Sequence, residues 1–467
     1  MDERELSATK EEKADGNKKK KSKRIWTAVL TVVCFLALLT GAFFGGYFTY
    51  SSKIDDEIKS LLWVKETVQK EYKYGISDEE FYDAVFDGVN GMLDPYSQYL
   101  SAEDYAQTLV ESTGRWSGVG LQFSTVDKNG DERLTVVRVS GNSPAYRAGV
   151  EEGSEIVAYG KNGEELSRVS TYDAFRLFLQ EREENEPFVL RLKEGVSGEE
   201  KNYILQKEAF VESYVSYRSA TTAYTYTGKD GNDRTADERT LPALGADTAY
   251  ISLSQFNGGA AKQFDDAMSV FKAENKKHLV LDLRFNGGGY MNILCSIAKY
   301  FCKGGQGANP VVTRAVYKNG KVVEFRADGN VFYDYFTSES KIAVLADSGT
   351  ASASECLIGC MVDYGAVGFE NIYLSERVAQ KTENGVLKTY TQYKTYGKGI
   401  MQSYFSRDLF SVSETLKLTT AEVQWPVSGK CIHGIGVTQA DGAKTVVENF
   451  LADGEIQAAI SDFLQNG

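Results

Sequence analysis

A serine-rich segment could supply a nucleophile for acyl transfer. It reads DSGTASASE over residues 347–355, follows an apolar stretch at 342–345, and leads into a predicted helix that begins at Ser354. A serine at a strand-to-helix turn is exposed, and the N-terminus of the helix stabilises negative charge that develops beside it. The alternative is that Ser352 or Ser354 only caps the helix. For Ser354 we favour the capping role.

A protonated serine is a poor nucleophile, so this chemistry needs a base. The chain has two histidines, of which His278 is adjacent to a predicted buried strand and His433 lies in a CIHG segment. Neither indicates a triad. A lysine can serve instead where desolvation lowers its pKa. Lys398, between two glycines, is the candidate, and Gln402 could hold its amine by a hydrogen bond without adding charge.

A second loop follows the predicted strand at 279–283 and reads DLRFNGGG over residues 282–289. Three successive glycines let backbone N–H groups approach a ligand closely, which suits an anion or an oxyanion. The alternative is a turn that only joins a strand to a helix. Each of the two loops follows an apolar strand, at the edge where α/β sheets present their sites.

The elements that must position these loops are predicted from apolar periodicity. The C-terminal half alternates strands with helices, at 248–253, 260–272, 279–283, 292–301, 342–345 and 354–362. This alternation indicates an α/β core with partly parallel strands. Residues 54–110 read as helical, 118–207 as short strands around a helix, and 219–239 as a polar hairpin or loop. The predicted fold class is therefore α/β, as an α+β multidomain chain.

Composition limits the function classes. The 467 residues exceed what one core usually serves, which predicts two to four domains. A net charge of -13 argues against a nucleic-acid-binding surface. The six cysteines show no C-x-x-C spacing and the chain has two histidines, so neither a zinc site, a disulfide framework nor a multi-histidine metal site is predicted. The Ser/Lys chemistry itself needs no metal or organic cofactor. Cys356 and Cys360 read as small buried apolar residues.

The N-terminus predicts a membrane anchor. Residues 1–24 are polar with a lysine-rich end, and residues 25–52 hold no charged side chain. That apolar run is long enough to cross a bilayer as a helix, and the basic cluster before it should stay cytoplasmic. The competing interpretation is a cleaved signal peptide, but no small-x-small cleavage site closes the run. Everything after the span is therefore expected outside the cytoplasm.

After the predicted span, the chain resembles the carboxy-terminal processing peptidases, also called tail-specific proteases. The segments that carry the resemblance occur in the family's order, and they lie at 91–100, 118–121, 143–150, 282–289, 350–355, 363–365, 397–399 and 429–434. The resemblance implies that Ser352 rather than Ser354 is the nucleophile. It also implies that Lys398 is the general base and that Gln402 orients it.

Further roles come from the same resemblance. The backbone N–H groups of Gly288 and of Ser352 or Ala353 would form an oxyanion hole. Asp363 aligns with an acidic position that is sometimes given an auxiliary catalytic role, and a structural role at a helix end is the alternative. The loop of Gly118, Val119, Gly120 and Leu121 resembles the carboxylate-binding loop of a PDZ domain, which would capture substrate tails.

The predicted organisation follows from these matches. Its parts are a basic tail at 1–24, a transmembrane anchor at 25–52, a helical region at 53–112, a PDZ domain at 113–208 and a protease core at 209–467. The resemblance implies a bacterial cell membrane, protein or peptide substrates with exposed C-terminal tails, and N-terminal helices that could pair two subunits as a homodimer.

One departure from the family pattern leaves a rival open. The 46 positions between Ser352 and Lys398 exceed the usual spacing, because residues 371–394 read as an inserted hairpin. A hairpin that projects outward would leave the two side chains together. If it does not, the chain is a membrane-tethered PDZ adaptor with a degenerate protease core, which binds tails without cleaving them.

Overall fold

The computed structural model describes residues 55–128, 131–151, 153–194, 198–222, 225–227, 233–235, 240–375, 377–383, 386–409, 412–446 and 454–466, with eight helical positions between 26 and 40. The predicted basic tail and most of the predicted span at 25–52 lie outside these residues. Within the described part, no helix combines the length and the apolar character that a bilayer crossing requires.

The α-helices after residue 55 are α1 (Asp56–Glu71), α2 (Asp78–Met92), α3 (Ala102–Ser112), α4 (Pro144–Arg147), α5 (Tyr172–Gln180), α6 (Ala260–Ala273), α7 (Met291–Ala298), α8 (Phe332–Tyr335), α9 (Ala353–Asp363) and α10 (Gly454–Asn466).

The strands are β1 (Gln98–Leu100), β2 (Arg115–Gly118), β3 (Leu121–Lys128), β4 (Asp131–Val139), β5 (Glu155–Lys161), β6 (Ser167–Arg168), β7 (Phe188–Lys193), β8 (Glu200–Leu205), β9 (Glu208–Val211), β10 (Val215–Ser219), β11 (Thr225–Thr227), β12 (Asp233–Thr235), β13 (Thr248–Leu253), β14 (His278–Asp282), β15 (Val311–Tyr317), β16 (Val322–Arg326), β17 (Ile342–Ala346), β18 (Ile372–Ser375), β19 (Arg377–Glu383), β20 (Val386–Gln392), β21 (Ile400–Leu409), β22 (Val412–Gln424) and β23 (Lys444–Val446).

The chain divides into two compact units, Met1–Met92 and Leu93–Gly467. In the first unit, α1 and α2 bury no residue, and Lys65 pairs with Asp78 at 2.8 Å. The division lies inside the predicted helical region at 53–112, because α3 follows β1 and belongs to the second unit. Pairing of two subunits through α1 and α2 stays a prediction.

A six-stranded sheet forms the centre of the second unit, in the order β10-β13-β14-β17-β18-β23. The five strands from β13 to β23 run parallel, and β10 is antiparallel to β13. Every residue of β14 and β17 is buried, because helices α6, α7 and α9 cover one face and α10 covers part of the other. The predicted α/β core with partly parallel strands is confirmed. Cys356 and Cys360 are buried on α9, as predicted.

A second, antiparallel sheet was not predicted. It has the order β1-β22-β15-β16, and β21 also pairs with β22. Through β1 it places the segment at 94–97 against β22, where the Ser97 hydroxyl accepts the Thr419 amide at 2.8 Å. β16 alternates exposed and half-buried residues, so its apolar signal is weak. The consequence is that β21, which follows Lys398 directly, is held by this sheet.

The residues between 118 and 205 fold around a hydrophobic cluster of their own, and we call them the small domain. Strands β3, β4, β5, β7 and β8 form its sheet, and Phe175 of α5 packs at the centre of its core. Residues 129 and 130 lie outside the described residues, and β3 and β4 pair antiparallel on either side of them. That the small domain is a PDZ domain stays a prediction.

The segment predicted as an inserted hairpin contains β19 and β20. These two strands pair antiparallel with each other over seven residue pairs, and within the described chain they form a two-stranded sheet of their own. The hairpin therefore adds no strand to the six-stranded sheet. The polar stretch at 219–239 likewise holds a two-stranded sheet, formed by β11 and β12.

Candidate active site

Ser352 lies at the turn between β17 and α9, with a strained backbone. Its φ of +57° falls in the left-handed region, which side-chain-bearing residues rarely adopt. The neighbouring chain holds this turn, because the Ala351 amide donates to the Asn286 carbonyl at 2.9 Å and the Ser354 hydroxyl donates to the same carbonyl at 3.0 Å. The predicted capping role of Ser354 is wrong, since Ser354 lies inside α9 and Ser352 holds the N-cap position.

Gly288 lies directly against the candidate nucleophile. A Cβ at this position would be 2.7 Å from the Ser352 Cβ and 3.0 Å from the Ala353 nitrogen, and its φ is +102°. Only glycine fits such a backbone position. The structure therefore brings the glycine-rich loop and the serine turn together at one edge of the sheet.

The predicted oxyanion donors differ in their hydrogen bonds. The Ser352 amide donates to Glu355 Oε2 at 3.0 Å, and the Gly288 amide donates to Asn286 Oδ1 at 3.0 Å. The Ala353 amide opens the first turn of α9, and within the described chain it has no acceptor. Of the predicted N–H groups, that of Ala353 is thus the one free to donate.

Backbone hydrogen bonds of the segment that contains Lys398 hold it beside the edge of the sheet where Ser352 lies. The preceding Tyr396 amide donates to the Thr350 carbonyl at 2.9 Å, which attaches the segment to the serine loop. The Lys398 Nζ lies 4.6 Å from the centroid of the Tyr96 ring, and among the described hydrogen bonds none joins it to Ser352. Burial, and next the charge of Lys417, hold the pKa of Lys398 below its ordinary value.

Glu355 connects the serine turn to the lysine segment. Its Oε2 accepts the amides of Ser352 at 3.0 Å and Lys398 at 2.8 Å. Its Oε1 accepts the Thr395 hydroxyl at 2.5 Å and the Gly397 amide at 2.8 Å. The side chain is fully buried, and this burial raises its pKa while the four hydrogen bonds oppose the rise. We did not predict a role for Glu355, although its position three residues after Ser352 is that of a capping box.

Gln402 does not contact Lys398 in this structure. Its Nε2 donates to Thr419 Oγ1 at 3.1 Å, and that hydroxyl donates to Asp94 Oδ1 at 3.1 Å. The charge of Asp94 in turn raises the pKa of Lys398, against the larger effect of burial. The predicted orientation of Lys398 by Gln402 is therefore not a direct hydrogen bond here.

Asp363 lies at the far end of α9 from Ser352, about 15 Å away along a helix of this length. Its Oδ2 accepts the amides of Val427 and Ser428, each at 2.8 Å. This arrangement favours the structural alternative for Asp363. His278 begins β14, at the end of that strand opposite the glycine-rich loop, and His433 is exposed.

In the predicted tail-binding loop, the carbonyls of Val119 and Gly120 accept hydrogen bonds, whereas their amides are left without an acceptor. The Val119 carbonyl accepts the Ala145 amide at 3.0 Å, and the Gly120 carbonyl accepts the Ser140 amide at 2.9 Å. The amides of Val119 and Gly120 donate to no acceptor in the part of the chain that the structure describes. Successive free amides in a turn form an anion-binding concavity.

The model of "Peptidase family S41" matches residues 247–368. A CtpA-like serine protease of Staphylococcus epidermidis is 25% identical over 385 residues, which are 81% of this chain and 64% of that protein. The chain thus spans less than two thirds of this relative. A carboxyl-terminal-processing protease of Synechocystis is 25% identical over 394 residues, 83% of this chain and 78% of that protein.

Among solved structures, the photosystem II D1 C-terminal processing protease aligns over 82% of this chain and 86% of its own, with 22% identity and a TM-score of 0.44. The S41 match covers the strands that carry both loops of the site, and Ser352, Gly288 and Glu355 lie within it. Residues 247–368 therefore form a peptidase family S41 domain, and the chain is a homologue of the carboxyl-terminal-processing proteases.

Proposed function

We propose that this chain is a serine endopeptidase in which Ser352 is the nucleophile and Lys398 is the general base. The single observation that carries the proposal is the pair of hydrogen bonds from the Ser352 and Lys398 amides to Glu355 Oε2. The two residues are 46 positions apart in sequence, yet one carboxylate oxygen fixes both backbones. The homology to carboxyl-terminal-processing proteases supports the same assignment.

The chemistry begins with neutral Lys398. Its Nζ leaves the Tyr96 ring and takes the proton of the Ser352 hydroxyl while the Ser352 Oγ attacks the scissile carbonyl carbon. The carbonyl oxygen becomes an oxyanion, and the free Ala353 amide stabilises it by donating a hydrogen bond. The Gly288 amide becomes a second donor to the oxyanion when it releases its present acceptor, Asn286. The Lys398 ammonium then protonates the leaving amine, and water hydrolyses the acyl-enzyme. Burial favours this cycle because it lowers the pKa of Lys398 and so makes the neutral amine more accessible.

The substrate class in this proposal is a polypeptide with an exposed C-terminal tail. The open amides of Val119 and Gly120 hold the terminal carboxylate, and the tail adds to the edge of β3 as a strand. This is the binding mode of a PDZ domain. The proposal also keeps the apolar run at 25–52 as a single membrane anchor, with the N-terminus cytoplasmic and the peptidase outside the cytoplasm.

The proposal is tested by turnover of a peptide that ends in a free carboxylate. Ser352→Ala and Lys398→Ala should each lower kcat/KM by at least about 10³-fold. The matched controls are Ser348→Ala, in the same loop as Ser352, and Lys394→Ala, four residues before Lys398. Full activity of either Ser352→Ala or Lys398→Ala contradicts the assignment.

The non-catalytic adaptor is distinguished by a serine-reactive probe. An active site labels at Ser352, and Ser352→Ala removes the label. An adaptor binds the same peptide but neither cleaves it nor takes the label. Peptide-mapping mass spectrometry locates the modified residue.

A further inference from the structure

A cavity of about 650 Å³ lies between the small domain and the six-stranded sheet. Arg138 and Tyr146 of the small domain line one side, and Ser216, Arg218 and Ser252 of the sheet line the other. Its lining also includes Phe285 and Gly349, which belong to the two loops of the candidate active site. The size is that of a typical site for a small ligand or a few side chains.

Strand alternation places Arg218 in this cavity. Within β10, Val215 and Tyr217 belong to the main hydrophobic core, so Ser216 and Arg218 point to the opposite face. In the antiparallel register, Ser216 is opposite Ser252 and Arg218 is opposite Tyr250. The hydroxyls of Ser216 and Ser252 are 3.1 Å apart. The Arg218 cation and the hydroxyls of Ser216 and Ser252 therefore lie on the same face of the sheet, which lines the cavity.

The other charges of the cavity are already paired. Asp282 accepts two hydrogen bonds from the Arg284 Nε, at 2.9 and 3.0 Å, one from the Arg284 Nη2 at 2.6 Å, and one from the Tyr250 hydroxyl at 2.8 Å. Arg138 pairs with Glu212 at 2.9 Å. These contacts leave Asp282 saturated and Arg138 neutralised.

Arg218 differs from these residues. Within the described chain its side chain forms no ion pair or hydrogen bond, and the Nε of that side chain is buried without an acceptor. A buried donor without a partner destabilises the fold, unless a ligand supplies the acceptor. A guanidinium binds a carboxylate through two parallel hydrogen bonds. A single unpaired positive charge among neutral hydroxyls matches a monoanion such as a carboxylate.

We propose that this cavity is a specificity site, in which Arg218 binds the carboxylate of an Asp or Glu side chain of the substrate. The inference rests on the proposed peptidase function. The carboxylate is expected to come from a substrate chain, because the cavity extends between the two ends of the proposed substrate path. Gln122, in its lining, follows the tail-binding loop, and Gly349, also in its lining, lies three residues before Ser352. A polypeptide that runs from that loop towards Ser352 passes this cavity.

The test uses matched peptides that differ only by Glu or Gln at one position, scanned upstream of the terminal carboxylate. Their affinities are measured on full-length Ser352→Ala, so that binding is read without turnover. At one position the Glu peptide should bind about 10-fold more tightly than the Gln peptide. Arg218→Gln should reduce this ratio to about 1, Arg218→Lys should keep part of it, and the exposed control Arg326→Gln should keep all of it.

The outcomes separate the sources of the carboxylate. A ratio near 1 at every position, or a ratio that survives Arg218→Gln in a variant with unchanged thermal unfolding, overturns the proposal. Binding of free glutarate that depends on Arg218, without any Glu preference among the peptides, also overturns it. A Glu preference in Ser352→Ala together with absent turnover in the unmodified chain supports this site and contradicts the peptidase assignment.

Discussion

The amides of Ser352 and Lys398 donate to the same oxygen, Glu355 Oε2, at 3.0 and 2.8 Å. The carboxylate is buried, and its other oxygen accepts two further donors from the segment before Lys398. A single side chain thus sets the separation of two backbones that are distant in sequence. Glu355 is a positioning residue in this arrangement, because it contacts the two active residues only through their amides.

Glu355→Gln should lower kcat/KM by about 10²-fold, because its NH₂ group faces donors where an oxygen accepted them. Fluorescence or calorimetry should show peptide binding to the small domain unchanged, which places the loss in kcat rather than in KM. Glu355→Ala should also destabilise the fold by about 3 kcal/mol or more, since it leaves four donors without an acceptor. Glu339→Gln, on an exposed turn, is the matched control. Unaltered kcat in Glu355→Gln would disprove the positioning role.

Lys417→Gln should move the pH dependence of kcat/KM. The neutral form of Lys398 is the base, so activity rises as the pH increases through the Lys398 pKa. That pKa lies below its ordinary value of 10.5, because of burial and then because of the positive charge of Lys417. Removing this charge makes the Lys398 ammonium more favourable, which raises its pKa and shifts the rise to higher pH. A full pH profile checks the shift, with the exposed Lys318→Gln as control. A profile displaced to lower pH would contradict the role of Lys398.

Gly288→Ala should abolish turnover, because the new Cβ would lie 2.7 Å from the Ser352 Cβ at a φ of +102°. Neither the strained backbone nor the packed turn accommodates a methyl group there, so destabilisation of about 1–3 kcal/mol should accompany the loss. The control is the adjacent Gly287→Ala, whose Cβ would meet nothing within 4 Å. Steady-state kinetics and thermal unfolding of the two variants should therefore differ. Equal activities would refute the proximity of Gly288 to the reaction.

Asp363→Ala should change stability rather than chemistry. It removes the acceptor of the Val427 and Ser428 amides, which should lower the free energy of unfolding by about 1–3 kcal/mol. At a temperature where the variant is folded, kcat/KM should stay within about threefold of the original value. Chemical denaturation and kinetics on one preparation check both statements. A large loss of kcat without destabilisation would restore the auxiliary catalytic role.

Much of the central sheet was predictable, because strands such as β14 and β17 are buried along their whole length and read as continuous apolar runs. The loops that follow such strands meet at one edge, which is why Gly288 and Ser352 could be assigned to one site. The second sheet escaped prediction because its strands are partly exposed and pair over long sequence separations. β1 joins β22 across more than 300 positions.

The contacts of Gln402, which was predicted to orient Lys398, and of Glu355, for which no role was predicted, could not be deduced in the same way. The pairing of β21 with β22 shifts register between Met401 and Gln402, and a shift of one residue decides which face a side chain takes. Gln402 therefore reaches Thr419 rather than Lys398. The Glu355 contacts with the segment at 395–398 depend on tertiary structure, although the contact with Ser352 follows a local capping pattern.

The hairpin of β19 and β20 lengthens the chain between Ser352 and Lys398 without determining where Lys398 lies. It departs after β18, forms its own sheet, and returns at Thr395, whose hydroxyl is held by Glu355 and whose amide is held by the Val437 carbonyl. The position of Lys398 is thus set by the contacts of Thr395 rather than by the number of residues in the hairpin. For protein engineering, this makes the hairpin, rather than a strand of either large sheet, the element in which an inserted affinity tag should leave Lys398 in place.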